Sequence, residues 1–158
     1  MVDIMFVCTG NICRSAMAEC ILKNKIQKNG YIDRVRVCSS GVSAYTGDIP
    51  TDEAISVMEE EYNLDLTTHR ATNIEDSNVT HMDLILAMTI RHKFFLISMY
   101  PQLKDKIFTL REYVGASEND MNIDDPYGYG KNVYSDCAKQ INDCIDELLV
   151  KLEKEGRI

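Results

Sequence analysis

The residues with the clearest potential for chemistry form one short stretch near the start of the chain, Cys8-Thr9-Gly10-Asn11-Ile12-Cys13-Arg14-Ser15. A cysteine followed after five residues by arginine and serine is typical of a loop that binds an anion. Backbone N–H groups in a tight loop that turns into a helix converge on such an anion, and the helix dipole favours negative charge there. Arg14 adds a planar fork of donors that stays charged and holds two phosphate oxygens. Gly10 allows a backbone conformation that is costly for other residues. The stretch therefore predicts a phosphate-binding loop.

The same loop supplies a nucleophile, because its positive environment favours the thiolate form of Cys8. A thiolate beneath a bound phosphate is placed to attack phosphorus, while the loop amides and Arg14 stabilise the charge on the equatorial oxygens. We expect Ser15 to hydrogen-bond the thiolate and make it a better leaving group in a second step. Asn11 is expected to hold the loop in shape. A Walker-type nucleotide loop is disfavoured, because the Gly-Lys-Ser/Thr ending is absent.

Alternating strands and helices must position this loop. Apolar residues 2–7 predict a first strand, and a helix to about residue 29 follows the loop, with Ser15 as its cap. Further strands are predicted at 34–39, 82–88 and 106–109, and further helices at 51–62, 90–99 and 133–153. We therefore predict an α/β fold of three layers, a four-stranded parallel sheet with helices on both faces and the phosphate-binding loop after the first strand. Because parallel strands end at one edge, the loops at 8–15, 40–48, 88–91 and around Asp125 should gather there.

Composition and charge narrow the class of protein. At 158 residues, with 45% hydrophobic and 27% charged residues, we predict one domain spanning residues 1–158. No apolar run approaches the roughly 20 residues that cross a bilayer, and no signal peptide is recognised, so we expect a cytoplasmic protein with no membrane partner. A net charge of −8 argues against nucleic acid as a partner. No Cys/His cluster has the spacing of zinc ligands, and neither a metal nor a cofactor is expected.

The stretch from Val7 to Ser15 resembles the signature of the low molecular weight protein tyrosine phosphatases, and the resemblance covers nearly the whole chain. Four further motifs stand in the order and spacing of that family: Ser39-Ser40-Gly41, His69-Arg70-Ala71, Asp83-Leu84-Ile85-Leu86-Ala87-Met88 and Asp125-Pro126-Tyr127. Two departures are visible. Ala16 stands where the family usually has proline, and Thr89-Ile90-Arg91-His92 replaces a segment that usually reads Asp-x-x-Asn.

The resemblance implies a protein tyrosine phosphatase that hydrolyses phosphotyrosine monoesters through a cysteinyl-phosphate intermediate. Cys8 would attack phosphorus and Arg14 would clamp the phosphate. Asp125 would protonate the leaving phenolate and then deprotonate water, which is general acid–base catalysis worth about 10²–10⁴-fold. Asp124 is the second choice for the acid, because the family's acid directly precedes proline.

The resemblance also implies the remaining site residues. The substrate-binding set comprises the rest of the loop and two aromatic walls: Thr9, Gly10, Asn11, Ile12, Cys13, Ser15, Tyr45 and Tyr127. His69 would support the loop through a network with Asn11 and Ser15. His81 and His92 are interpreted as surface or packing residues. Because Cys13 lies in the same loop as Cys8, we hypothesise that it traps an oxidised Cys8 as a reversible disulfide, which makes the enzyme redox-sensitive.

Three alternatives require different chemistry. A protein arginine phosphatase has threonine at the position of Ile12, so the isoleucine favours phosphotyrosine. A thioredoxin-coupled arsenate reductase needs two further redox cysteines after the third strand, and none lies between Cys38 and Cys137. A non-catalytic phosphotyrosine-binding module would be expected to lose Cys8 or Asp125. We expect phosphotyrosine-containing proteins as substrates, and a monomer or weak dimer.

Overall fold

The computed structural model describes residues 1–158, with strands and helices in the predicted order. The strands are β1 Val2–Cys8, β2 Val35–Gly41, β3 Leu84–Ala87 and β4 Ile107–Thr109. The α-helices are α1 Arg14–Lys28, α2 Asp52–Tyr62, α3 Ile90–Met99, α4 Leu110–Tyr113 and α5 Lys131–Lys154. Short 3-10 turns lie at Ile74–Asp76, Val79–His81 and Pro101–Lys106.

The four strands form one parallel sheet in the order β2-β1-β3-β4. The predicted α/β class with a four-stranded parallel sheet is thereby confirmed. The chain runs outward from β1 to β2 and then crosses back to β3 on the other side of β1. Strand order therefore reverses at β1, and in open parallel sheets a crevice forms beyond the strand ends at this point. The loop after β1, residues 8–15, opens into that crevice.

Helices cover both faces of the sheet, because its inner strands are apolar on both sides. Side chains of β1 alternate between the two faces: Ile4 and Phe6 belong to a core cluster of 31 buried residues, and Met5 and Val7 to a second cluster of ten. Helices α1, α2 and α5 enclose the larger cluster, and α3 packs on the smaller one through Leu96. None of the helices has the length and apolar content that crossing a lipid bilayer requires.

The predicted boundaries need small corrections, and one predicted cap is wrong. β2 continues to Gly41, because its last residues pair with the end of β1. Thr51 caps α2 as predicted, with its hydroxyl accepting from the Ala54 N–H. Ser15, however, does not cap α1. Cys13 holds the cap position without a side-chain bond, and the Ser15 hydroxyl turns to buried partners beneath the loop. The first N–H groups of α1 thus have no acceptor from a capping side chain, so they are available to donate to a bound anion.

Candidate active site

The loop of residues 8–15 turns sharply at Asn11, whose φ of 56° lies in the left-handed region. Asparagine tolerates that conformation better than most residues. Its buried side chain is fully hydrogen-bonded: Nδ2 donates to Ser15 Oγ at 2.7 Å and to Ser39 Oγ at 2.9 Å, and Oδ1 accepts from the Thr72 N–H at 2.9 Å. Asn11 therefore joins the end of the loop at Ser15 to β2 and to the segment near residue 72.

Cys8 ends β1 with its side chain buried, and its sulfur lies 2.9 Å from Ser15 Oγ. Because Ser15 Oγ already accepts from Asn11, the serine hydrogen is free to be donated. The Ser40 carbonyl oxygen is the other acceptor in reach, at a longer 3.4 Å. The geometry therefore favours donation from Ser15 to Cys8, and that hydrogen bond stabilises a thiolate.

Arg14 begins α1 and is only 3% exposed. Its Nη1 donates to the Ile123 carbonyl at 3.0 Å, and its Nη2 lies 3.4 Å from Asp125 Oδ2. The Nε atom is buried and has no partner. A buried donor without an acceptor costs about 1–3 kcal/mol, which is recovered when an acceptor arrives. The guanidinium therefore has a donor ready for an anion bound in the loop.

Asp125 lies over the loop with its side chain 49% exposed. Its Oδ1 accepts from the Tyr127 N–H at 3.1 Å and from Cys13 Sγ at 3.9 Å. The segment is anchored to the sheet, because the Ile123 N–H donates to the Met88 carbonyl at 2.8 Å. Asp124 is exposed, and its backbone carbonyl oxygen accepts from Cys137 Sγ of α5 at 3.9 Å. Of the two adjacent carboxylates, the structure brings Asp125 to Arg14.

A second layer of polar groups lies beneath the loop. His69 Nε2 donates to the Asn11 carbonyl oxygen at 2.7 Å, and its Nδ1 lies 3.9 Å from Glu19 Oε2. Glu19 also accepts from the Ser39 hydroxyl. His69 thus sits where the expected supporting role requires it, with its link to Ser15 passing through Asn11. Glu19 extends this network and was not recognised from the sequence.

The end of β2 supports the loop from the side, at Gly41. A Cβ atom at this position would lie 2.4 Å from the Thr9 carbonyl oxygen and 2.9 Å from the Asn11 nitrogen. Just beyond it, the Val42 and Ser43 N–H groups donate to the Cys8 and Thr9 carbonyls, each at 3.0 Å. These contacts explain why the chain carries glycine after Ser39-Ser40, since only glycine lets the two backbones approach so closely.

His92 corrects a prediction, because we expected it at the surface or in ordinary packing. It is 7% exposed, and its Nε2 lies 2.8 Å from Thr9 Oγ1 while its Nδ1 lies 2.9 Å from Thr89 Oγ1. Burial, together with the nearby charge of Arg14, lowers the pKa of His92 to about 4. The signal that could have found it was its place in the first turn of a helix after β3, at the same sheet edge as Cys8.

The remaining expected site residues divide into exposed and buried ones. Tyr45 is 79% exposed and follows Ser43, whose N–H donates to the Thr9 carbonyl. Tyr127 is 60% exposed and lies two residues after Asp125, which accepts from its N–H. Thr9 is exposed, and Gly10 and Ile12 are partly exposed. Asn11 and Ser15 are fully buried, and their side chains bond to each other and to Ser39 and Cys8.

All six cysteines are free thiols, and burial raises the pKa of several of them. The pKa of Cys13 is raised far above its ordinary value, first by burial and then by the negative charges of Cys8 and Asp125. Burial also raises the pKa of Cys137 to about 12. No group of three or more His, Cys, Asp or Glu side chains is arranged to hold a metal ion.

Comparison with known proteins places this geometry in a family. Residues 3–158 match the family described as low molecular weight phosphotyrosine protein phosphatase. A protein-arginine-phosphatase of Bacillus subtilis (strain 168) is 37% identical over 155 residues, which cover 98% of this chain and 99% of that protein.

Two solved structures superpose along almost their full length. A low molecular weight protein tyrosine phosphatase from T. tengcongensis has a TM-score of 0.89 at 39% identity, covering 96% of this chain and 100% of that one. The YwlE arginine phosphatase, as a cysteine-to-serine mutant with a phosphorylated active-site serine, has a TM-score of 0.91 at 33% identity and covers 99% of each chain. Together with the Cys8–Ser15 loop and the Asp125 carboxylate beside Arg14, these matches show that the chain belongs to the low molecular weight phosphotyrosine protein phosphatase family of hydrolases.

Proposed function

We propose that this protein hydrolyses phosphotyrosine monoesters of proteins through a cysteinyl-phosphate intermediate. One observation carries the proposal. The Cys8 thiol and the buried Arg14 guanidinium, with its unpartnered Nε, belong to one loop, and the Asp125 carboxylate lies beside Arg14. Nucleophile, anion site and proton donor are the three components that this reaction needs.

In the first step, Cys8 Sγ attacks phosphorus, so that a P–S bond forms as the bond from phosphorus to the phenolic oxygen breaks. Asp125 in its acid form donates a proton to the leaving oxygen. The loop N–H groups and Arg14 stabilise the charge on the three phosphoryl oxygens. The phosphorylated active-site serine in the YwlE mutant supports a covalent phosphoryl intermediate by analogy.

In the second step, Asp125, now a carboxylate, takes a proton from water as that water attacks phosphorus. The P–S bond breaks, inorganic phosphate forms, and Cys8 leaves as a thiolate that accepts a hydrogen bond from Ser15. In the free enzyme Asp125 is held near this position by Arg14 and by the Tyr127 N–H. His69 supports the loop in both steps through the Asn11 carbonyl.

Two adjacent carboxylates allow a matched test of the acid. Asp125→Asn should lower kcat for a phosphotyrosine peptide by about 10²–10⁴-fold, because the proton donor is lost. Asp124→Asn removes the same charge from the same loop and should leave kcat near the wild-type value. Cys8→Ser should abolish turnover. Full activity in either Cys8→Ser or Asp125→Asn would overturn the mechanism.

Protein arginine phosphatase is the second candidate, favoured by the 37% identity to the Bacillus subtilis protein of that name. The side chain that bears on the choice is Ile12, partly exposed beside Gly10, with its carbonyl held by the Thr51 N–H at 3.0 Å. An apolar side chain there suits a phenol ring better than a charged guanidinium, whose desolvation it cannot offset.

Substrate preference is tested by comparing kcat/KM for phosphotyrosine and phosphoarginine peptides of one sequence. The wild type should prefer phosphotyrosine, and Ile12→Thr should shift the ratio towards phosphoarginine. Ile49→Thr, a change at an exposed isoleucine beyond the loop after β2, is the control. A wild type that prefers phosphoarginine would replace the first proposal by the second.

We also propose a cytoplasmic location and phosphoprotein partners, without nucleic acid, and a monomer or weak dimer. Support comes from the six free thiols, which suit a reducing compartment, and from the net charge of −8. Reversible Cys8–Cys13 disulfide formation stays a prediction. If it occurs, dithiothreitol should restore peroxide-treated wild type but not Cys13→Ser, and failure to restore the wild type would contradict it.

A further inference from the structure

His92 connects α3 to the phosphate-binding loop, and the proposed mechanism does not use it. It lies in the first turn of α3, just past the end of β3, with its ring buried against the residue that follows Cys8. Its Nε2 is 2.8 Å from Thr9 Oγ1. On the other side of the ring, Nδ1 is 2.9 Å from the hydroxyl of Thr89, the capping residue of α3. Both ring nitrogens therefore have a hydroxyl partner.

The contacts of Thr89 define the direction of these hydrogen bonds. Its hydroxyl oxygen accepts from the His92 backbone N–H at 3.2 Å, as a helix cap does. The hydrogen of that hydroxyl has one acceptor in reach, His92 Nδ1. A neutral imidazole that accepts at Nδ1 carries its hydrogen on Nε2. His92 Nε2–H therefore donates to Thr9 Oγ1, and the side chain of Thr9 is held from the α3 side.

The His92 ring stays neutral near pH 7, so Nε2–H continues to donate to Thr9 Oγ1. Burial and the positive charges of Arg14 and Arg91 lower the pKa of His92 to about 4, against a smaller opposite effect of Asp125. Thr9 is also held through its backbone, since its carbonyl accepts from the Ser43 N–H of the loop after β2. Thr9, the residue next to the nucleophile, is thus held on one side by α3, which follows β3, and on the other by the loop after β2.

We propose that His92 is a positioning residue of the phosphatase reaction. Its Nε2–H, oriented by Thr89, anchors Thr9 and so keeps the first N–H groups of the loop directed at the phosphoryl group. This inference rests on the proposed function, because it concerns the alignment of that loop in the transition state. Alignment of oxyanion donors affects kcat more than binding of the ground state.

Two amide variants separate the two ring nitrogens. The amide of His92→Gln reaches the position of Nε2 and can donate to Thr9, whereas that of His92→Asn reaches only the position of Nδ1, near Thr89. We expect His92→Asn to lower kcat by about 3- to 10-fold, the value of one neutral hydrogen bond, with KM little changed. His92→Gln should stay within about twofold of the wild type. Equal kcat in the two variants would overturn the proposal.

A double-mutant cycle tests whether His92 acts through Thr9. Thr9→Val removes the accepting hydroxyl at nearly constant shape. In that background His92→Asn should cause no further loss of kcat, since the bond is already absent. Additive losses would overturn the inference and assign His92 a packing role.

A spectroscopic readout does not depend on turnover. In ¹⁵N-labelled free enzyme, His92 should show the shift pattern of a neutral ring protonated at Nε2, and Thr89→Val should change that pattern. A ring protonated at Nδ1 would overturn the proposal while leaving the phosphatase function intact. A wild type inactive on both phosphotyrosine and phosphoarginine peptides would instead overturn the proposed function, and the positioning role with it.

Discussion

At the scale of single residues, Ser15 shows how the site couples the shape of the loop to its chemistry. Its oxygen accepts from Asn11, the residue that makes the left-handed turn, and this directs its hydrogen to the Cys8 sulfur. Ser15 was predicted both to cap α1 and to bond the Cys8 thiolate, and its position in the structure fits only the second role. The same loop turn that gathers N–H groups around the phosphate also orients the donor to the thiolate.

Replacing Ser15 by alanine should slow the step in which Cys8 leaves phosphorus. A hydrogen bond to a charged group is worth about 1.5–3 kcal/mol, so we expect kcat to fall about 10- to 100-fold. Rapid-quench kinetics should show the cysteinyl-phosphate accumulating. Ser98→Ala, which removes a hydroxyl bonded only to the Phe95 carbonyl, is the control. An unchanged kcat in Ser15→Ala would contradict the role of this bond.

At the scale of elements, the ends of β1 and β2 determine how the loop is shaped. Their parallel pairing continues to Cys8 and Gly41, so the loop begins in contact with the end of a neighbouring strand. The approach is close because Gly41 lacks a Cβ atom, and such a Cβ would meet backbone atoms of Thr9 and Asn11 and the Cβ of Ala44, all at 2.9 Å or less. These backbone atoms belong to residues whose carbonyls are already hydrogen-bonded, Thr9 to the Ser43 N–H and Asn11 to His69, so they cannot move aside as a flexible side chain can.

Gly41→Ala should therefore both destabilise the fold and displace the loop. Overpacking of this kind costs about 1–3 kcal/mol, measured as the free energy of unfolding in urea. We expect kcat to fall in the folded variant as well, because Thr9 and Asn11 must shift. Gly130→Ala is the matched control, since no atom lies within 4 Å of its added Cβ. Equal stability of the two variants would show that the loop accommodates the methyl group.

At the scale of the whole molecule, the buried His92 links folding to pH. Its pKa of about 4 in the folded protein lies below the ordinary value of 6.5, so the unfolded chain binds the extra proton first. Stability is therefore lost as pH falls from about 6.5 to 4, by about 3 kcal/mol in total.

This effect should appear as a difference between wild type and His92→Gln. The free energy of unfolding of the wild type minus that of His92→Gln should fall by about 3 kcal/mol as pH falls from about 6.5 to 4, because only the wild type has this group to protonate. Arg14, Arg91 and Asp125 face the ring and stay in both proteins. His81→Gln, at an exposed histidine, should run parallel to the wild type. Curves for wild type and His92→Gln that stay parallel would contradict the buried neutral state.

The net charge of −8 should influence which phosphoproteins approach the site. For a phosphopeptide with acidic flanks, kcat/KM should rise with ionic strength, because salt screens long-range repulsion beyond a Debye length of about 10 Å at 0.1 M. A peptide with lysine flanks should show the opposite trend. The measurement is kcat/KM of each peptide over a series of salt concentrations. Identical trends for the two peptides would indicate that the net charge of the protein has no long-range effect on substrate binding.

The sequence by itself determined the α/β class, the strand that leads into the loop and the residue types of the loop. These features are local, since an apolar run followed by Cys8, five residues and Arg14 is read from neighbours along the chain. The helix pattern was local too, and Thr51 marked the start of α2 correctly. The family followed from motifs at consistent spacing, and comparison confirmed it.

Only the tertiary structure showed that His92 and Glu19 are among the distant polar groups that meet at and beneath that loop. Thr9 and His92 are 83 residues apart, and their contact requires β3 to lie directly beside β1. Gly41 matters because β2 lies on the other side. Strand order is set by how whole elements pack, and no local pattern of residue types encodes it. For this reason Cys8 and Arg14 could be recognised from the sequence, whereas the contact of His92 with Thr9 became visible only in the fold.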